Sequence, residues 1–252
     1  MKTTISAIAL GGLFAGMLLA AVPARAEVKG VVELFTSQGC SSCPPADKLL
    51  GAYAERKDVL ALSYNVDYWD YLGWKDTLAS PAYSERQRNY AQARGDGQVY
   101  TPQAVIDGRT HVVGSHEAEI DAALAKYSDG MPVHLSLSST AGDAITVNID
   151  AASPESAATM PHATLWLVMY DRSVTVPIGR GENSGKTLTY SNVVRKLRPI
   201  AMWKGAAMSV DLPKSEIKQA DVSQCAVLLQ AETKDGLPGP ILGAATIDMT
   251  GT

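Results

Sequence analysis

Between Glu27 and about Ser128, short apolar runs alternate with amphipathic stretches. Val31-Val32-Glu33-Leu34-Phe35 predicts a short buried strand; Ala46 to Arg56 puts Leu49, Leu50 and Tyr53 on one helical face; Val59 to Tyr64 predicts a second strand. Strand, helix and strand in that order imply a right-handed crossover with the two strands parallel. An aromatic and acidic stretch from Asp67 to Asp76 follows, then a polar helix from about Pro81 to Arg94. Ala104-Val105-Ile106, the turn Asp107-Gly108 and His111-Val112-Val113 read as a hairpin, and Glu117 to Tyr127 as a closing helix.

Beyond Gly130 the pattern changes to alternating apolar and polar positions. Val133 to Ser138, Ala144 to Ile149, Thr164 to Tyr170, Lys186 to Val194, Gly205 to Leu212, Cys225 to Ala231 and Ile241 to Ile247 all read as extended, with turn residues between them. Such a run of strands without a convincing long helix predicts an antiparallel sandwich or barrel. Asp129-Gly130-Met131-Pro132 is the expected domain boundary.

The chemistry concentrates at Cys40-Ser41-Ser42-Cys43, between the first strand and the first helix. Two thiols at this spacing can close a small disulfide, and unpaired N–H groups at a helix start stabilise a thiolate. Strand, C-x-x-C, helix, strand, a long middle section, Thr101-Pro102, hairpin and helix is the element order of thioredoxin-like folds. The expectation is therefore an α/β thioredoxin-like domain over residues 27–130, carrying an aromatic-rich insertion, followed by an all-β antiparallel sandwich-like domain over 131–252. In this reading the Thr101-Pro102 peptide is cis and faces the pair. Cys40, at or just before the helix N-cap, is the exposed nucleophile, and Cys43 is the resolving thiol. Burial of Cys40, or a Pro102 far from the pair, would sink the exchange mechanism. Pro44 and Pro45 fall in the first helical turn, where a missing N–H is tolerated.

The first residues predict that this chemistry lies outside the cytoplasm. Lys2, an apolar stretch from about Ile5 to Val22, and Ala24-Arg25-Ala26 read as a secretory signal peptide over residues 1–26, with a transmembrane anchor as the alternative. Its removal takes away Lys2 and Arg25 and no acid, leaving 20 basic against 26 acidic residues and a formal charge of −6. That surface lacks the basic stripe that nucleic acid requires, and no later stretch is long enough for a membrane span. Three cysteines are too few for a disulfide scaffold, so the pair at 40 and 43 is available for chemistry.

Two other readings of the pair stay open. One is a permanently closed structural disulfide in a non-catalytic envelope protein; the other is a Cu(I) or Zn(II) chaperone. His111 and His116 would complete a zinc set only across a gap of 67 residues, where roughly 12–15 are usual, so no metal ligand is assigned. Cys225, in an apolar strand, reads as a buried structural thiol. Glu33 could accept a proton during exchange or sit in a salt bridge. Trp69 and Trp74, with Tyr68 and Tyr71, could form a substrate platform or pack an insertion core. Gly179 to Thr187 ends like a phosphate-binding loop, but Arg180 stands where glycine is needed and a strand follows where a helix should open; a flexible hairpin or inter-domain loop fits better.

The segments Val32 to Asp47, Asp67 to Asp76, Arg86-Gln87, Tyr100 to Gln103 and Gly181 to Gly185 together resemble the bacterial family called domain of unknown function 1223. The resemblance implies a thioredoxin-like N-terminal domain and a Gram-negative origin, hence a periplasmic or secreted address, and supplies no reaction. Asn65 stands where many relatives carry histidine, which argues against a metal ligand or base at that position. The sequence thus points to thiol–disulfide exchange through Cys40 and Cys43, with Thr101, Pro102, Trp69 and Trp74 lining the groove. The expected partner is a protein or small thiol, and no cofactor is expected.

Overall fold

The computed structural model describes residues 27–127, 131–139, 143–153, 162–218 and 222–248. The signal-peptide segment and residues 129–130 of the expected boundary lie outside them. In β1 (Gly30–Thr36) every residue is buried, as it is in β2 (Val59–Asn65), and the two pair in parallel with α1 (Pro44–Ala54) as the crossover. After a 3-10 turn at Asp70–Leu72 comes α2 (Pro81–Arg94), capped by Ser80, whose hydroxyl accepts from the Ala82 N–H. The hairpin β3 (Gln103–Ile106) and β4 (Thr110–Val113) adds antiparallel to β1, and α3 (Glu117–Lys126) follows.

β5 (Leu135–Ser139), β6 (Ala144–Ile149) and β9 (Met208–Pro213) form a separate three-stranded sheet. The long hairpin strands β7 (Ala163–Pro177) and β8 (Thr187–Trp203), with β10 (Gln224–Glu232) and β11 (Pro238–Asp248), take a different course. They join the first sheet, which runs β11-β10-β7-β8-β2-β1-β3-β4. The junction is the parallel contact of β2 with β8, where Ser63 faces Val193. A short helix, α4 (Lys214–Lys218), follows β9.

This corrects the expected fold class. The protein is mostly β, built on one mixed eight-stranded sheet, and is not a thioredoxin-like α/β domain followed by a separate all-β domain. One apolar cluster shows why: Val31, Phe35 and Leu62 from β1 and β2 share it with Val168, Val194, Ala226 and Leu228 from the later strands. Removing these side chains from water together rewards the union at about 25 cal/mol per Å² of apolar surface. Tyr83 and Tyr90 of α2 pack on this face. The opposite face is covered at one end by α1 and α3, over Val32, Leu34 and Ala61, and at the other by the three-stranded sheet, over Leu165, Leu167 and Val227. Strand alternation sets this division, because neighbouring residues point to opposite faces.

Candidate functional site: a covered disulfide

Cys40 and Cys43 are bonded to each other at the start of α1, with their Cα atoms 5.4 Å apart. Cys43 is the helix N-cap, and its carbonyl accepts from the N–H groups of Ala46 at 2.9 Å and Asp47 at 3.0 Å. Cys40 therefore lies three residues ahead of the cap, not at it. Nor is it exposed: relative exposure is 1% for Cys40 and 0% for Cys43, which corrects the expected open nucleophile.

The cover comes from the turn between β7 and β8, the segment whose sequence imitates a phosphate loop. Its course is strand, turn and strand, so no helix N-terminus is offered to a phosphate. Asn183, itself fully buried, donates its amide to the carbonyl oxygens of Gln38 at 3.0 Å and Cys40 at 2.8 Å. Glu182 accepts from the Ser41 N–H at 3.0 Å, and hydrogen bonding from Ser41, its hydroxyl first and then this N–H, holds the carboxyl below the usual range. Lys186 reaches back to the Asn183 carbonyl side chain at 2.9 Å and fixes the amide orientation.

The aromatic stretch locks the same loop. Trp74 donates to the Gln38 side chain at 2.8 Å, while a Cβ on Gly179 would come within 3.0 Å of the Trp74 ring. Trp69 donates to the Thr101 hydroxyl at 2.8 Å, and its Cβ would lie 3.0 Å from a Cβ on Gly39, so glycine permits that approach. The Thr101-Pro102 peptide is cis. A Cβ on Gly114 would stand 3.2 Å from Pro102 and 3.3 Å from Ala46, which places the proline beside the first turn of α1. Trp69, Trp74 and Thr101 are half-buried and Pro102 is buried. The four residues expected at the groove thus lie against Gln38, Gly39 and Gly114, near the ends of the C-x-x-C segment.

Below the pair, sequence reasoning missed Asp47. One helical turn after Cys43, it lies on the same face of α1 and is buried. One oxygen accepts from the Thr36 hydroxyl at 2.7 Å; the other has no hydrogen-bond partner. Burial pushes its pKa up to about 8, against the Thr36 hydrogen bond and with help from the Asp76 carboxylate. Asn65 Oδ1, Ser63 Oγ and the Tyr190 hydroxyl are also buried without partners. Thr36, Ser63 and Asn65 share strand parity with Leu34 and Ala61, so they face α1. Asp76 binds the Gln38 N–H at 2.8 Å and the Asn65 amide at 3.0 Å. Asp47 of α1, Ser63 and Asn65 of β2 and Tyr190 of β8 are thus buried polar groups with unmet hydrogen-bonding atoms on the α1 side of the sheet.

Glu33, the other candidate proton acceptor, faces the opposite side of the sheet. There it forms a buried pair with Arg86, Nε to Oε1 at 2.8 Å and Nη2 to Oε2 at 3.1 Å. His111 engages Tyr100, Gln103 and Asp96, and His116 engages Glu119. Among the described residues no cluster of three or more His, Cys, Asp or Glu side chains is arranged to hold a metal. Cys225 is buried in β10. No helix among the described residues is long and apolar enough to cross a membrane.

The family described as protein of unknown function (DUF1223) matches residues 31–230. The chain belongs to this family. A crystal structure of protein AGR_C_4864 from Agrobacterium tumefaciens is 40% identical, with a TM-score of 0.80 over 91% of this chain and 98% of that one. A structure titled HBP35 of Porphyromonas gingivalis shares the fold at 13% identity, with a TM-score of 0.59 over 90% of this chain and 78% of that one. No functionally curated protein matches the chain. The DUF1223 match takes in the disulfide, Asp47, the tryptophans, Thr101-Pro102 and the covering turn.

Proposed function

We propose that this DUF1223 protein carries out thiol–disulfide exchange at Cys40–Cys43 outside the cytoplasm, on a dithiol carried by a polypeptide or a small thiol. The observation that carries the reading is Asp47. A desolvated carboxyl with an unpartnered oxygen lowers stability, and a disulfide that serves only as a staple has no use for one. A substrate thiolate attacks Cys40 Sγ, the Cys40–Cys43 bond breaks, and Cys43 leaves as a thiolate. Asp47, protonated below its pKa of about 8, supplies the proton that Cys43 takes up. A second substrate thiolate attacks the substrate sulfur of the mixed disulfide and releases Cys40. Two electrons pass from the substrate, which ends as a disulfide, to the protein, which ends as a dithiol; the same steps reversed oxidise the protein.

With Cys40 buried the covered form cannot exchange, so this reading requires the turn carrying Asn183 to move before a thiolate reaches Cys40, and the covered form is the resting one. Trp69 and Thr101-Pro102 then flank the opened groove. The burial of both cysteines favours a second reading, in which the disulfide is a structural staple. The test is capture: Cys43→Ser, incubated with a peptide disulfide, accumulates a mixed disulfide on Cys40 under exchange, whereas a staple yields no adduct at native temperature.

A further inference from the structure

We infer that the cavity between α2 and the strands β7, β8 and β10 is a binding site for a small organic carboxylate with an apolar body. It lies across the sheet from the disulfide, has a volume of about 440 Å³, and is lined by Tyr83, Arg86, Trp166, Arg195, Lys196 and Leu197 among others. That volume falls within the range of small-molecule sites, roughly 300–1,000 Å³.

Its floor is a fixed guanidinium. Arg86 is 7% exposed, and four contacts with three residues hold it: Nε and Nη2 grip the two oxygens of Glu33, and Nη2 also lies within hydrogen-bond distance of the Tyr90 hydroxyl at 2.9 Å and Gln230 Oε1 at 3.0 Å. Both edges facing Glu33 are therefore used. The hydrogen bonds of Arg86 run through Nε and Nη2, which leaves Nη1 as the nitrogen open to a ligand in the cavity that Arg86 lines. The residue is buried and held by its other nitrogens, so the orientation of Nη1 is set before an acceptor from a ligand binds.

The walls suit an apolar body. Trp166, Tyr83 and Leu197 supply the contact surface, and the guanidinium carbon lies 5.9 Å from the Trp166 ring centre. Charges at the mouth are mixed: Arg195 and Lys196 stand against Glu85 and Glu232, all exposed. Exposed charges are screened over about 8–10 Å at ordinary ionic strength, and of the buried Glu33–Arg86 pair only the cationic member lines the cavity, so the end of the pair that meets a ligand is positive. An anionic oxygen on Nη1 makes a charge-assisted bond, roughly twice as strong as one to a neutral acceptor.

The experiment is calorimetry on the whole protein with 4-phenylbutyrate and decanoate, and with 4-phenylbutyramide as the uncharged control. The expected result is saturable one-to-one binding of both carboxylates and about tenfold weaker binding of the amide. Leu197→Glu, which puts a negative charge on the wall, should weaken both carboxylates by about tenfold or more while the melting temperature shows the fold retained. Absence of saturable binding by either carboxylate, equal binding of the amide, or unchanged affinity in a folded Leu197→Glu protein overturns the inference. None of these outcomes depends on the exchange reaction, which lies on the other face.

Discussion

Asn183 donates its side-chain amide to the carbonyl oxygen of Cys40 at 2.8 Å, across 143 positions of sequence. The same amide also serves Gln38, so one buried side chain fastens the β7–β8 turn over the disulfide. Each bond is worth about 1 kcal/mol net, and leaving two buried carbonyls unmet raises the cost of the closed form further. Asn183→Ala should therefore speed reduction of Cys40–Cys43 by dithiothreitol by about tenfold or more, read as the time course of alkylatable thiol. An unchanged rate would mean that the turn does not control access.

Asp47→Asn should slow that reduction at pH 7, because the departing Cys43 thiolate loses its proton source. The ratio of wild-type to variant rate should fall through an inflection near pH 8, where Asp47 of the wild type deprotonates. Taking the ratio cancels the ionisation of the reductant. A ratio that is flat with pH would remove Asp47 from the mechanism.

The same carboxyl makes stability depend on pH. Its pKa is raised from 3.8 in the unfolded chain to about 8 in the fold, so the folded form binds the proton more tightly. Its contribution is fully present below about pH 4 and is lost as pH rises through 8. Asp47→Asn cannot ionise, so urea unfolding should show the variant gaining on the wild type between pH 5 and pH 9. A constant difference across that range would contradict the assignment.

Arg86→Met leaves Glu33 charged and buried opposite no cation. Such a break costs about 3–5 kcal/mol, and the double variant Glu33→Leu with Arg86→Met should recover much of it. Urea midpoints of the three proteins give the comparison.

The single sheet predicts one unfolding transition. Asn192 on β8 donates to the Ala61 carbonyl of β2 at 2.9 Å, and Tyr83 of α2 donates to the Val194 carbonyl at 3.0 Å, so the early and late strands share buried bonds as well as a core. Circular dichroism and tryptophan fluorescence should melt together. Two separated transitions would restore independent units.

Much of the local structure was legible in the chain. The apolar runs placed β1 and β2, Asp107-Gly108 placed the β3–β4 hairpin, and the helix at Pro81–Arg94 begins and ends where its pattern says. What pattern could not supply was partnership. β7 and β8 extend well past their apolar stretches, into Asp171 to Pro177 and Arg195 to Trp203, because paired strands tolerate exposed polar residues; periodicity reads those segments as loops. The β2–β8 contact rests on backbone pairing at Ser63 and Val193, which leaves no mark in either local sequence. The cysteine pair and the cis Thr101-Pro102 bond were found by spacing and order. Asp47 was not, since an acid in the first turn of a helix ordinarily answers the helix dipole in solvent. Its burial is a tertiary fact, made by Thr36, by Asn65 and Asp76 behind it, and by the late-strand residue Tyr190. Asn183 was hidden for the same reason: a polar residue in a glycine-rich turn gives no sign that it is buried against a loop from the other half of the chain.

Equilibration of the Cys40–Cys43 couple against glutathione buffers of known potential tests the exchange reading most directly. Exchange predicts a midpoint above about −300 mV, within reach of thiol partners, with Cys40 and Cys43 titrating as one two-electron couple. A midpoint below that value, with the pair still closed under strongly reducing buffer, would make the disulfide a staple and contradict the account.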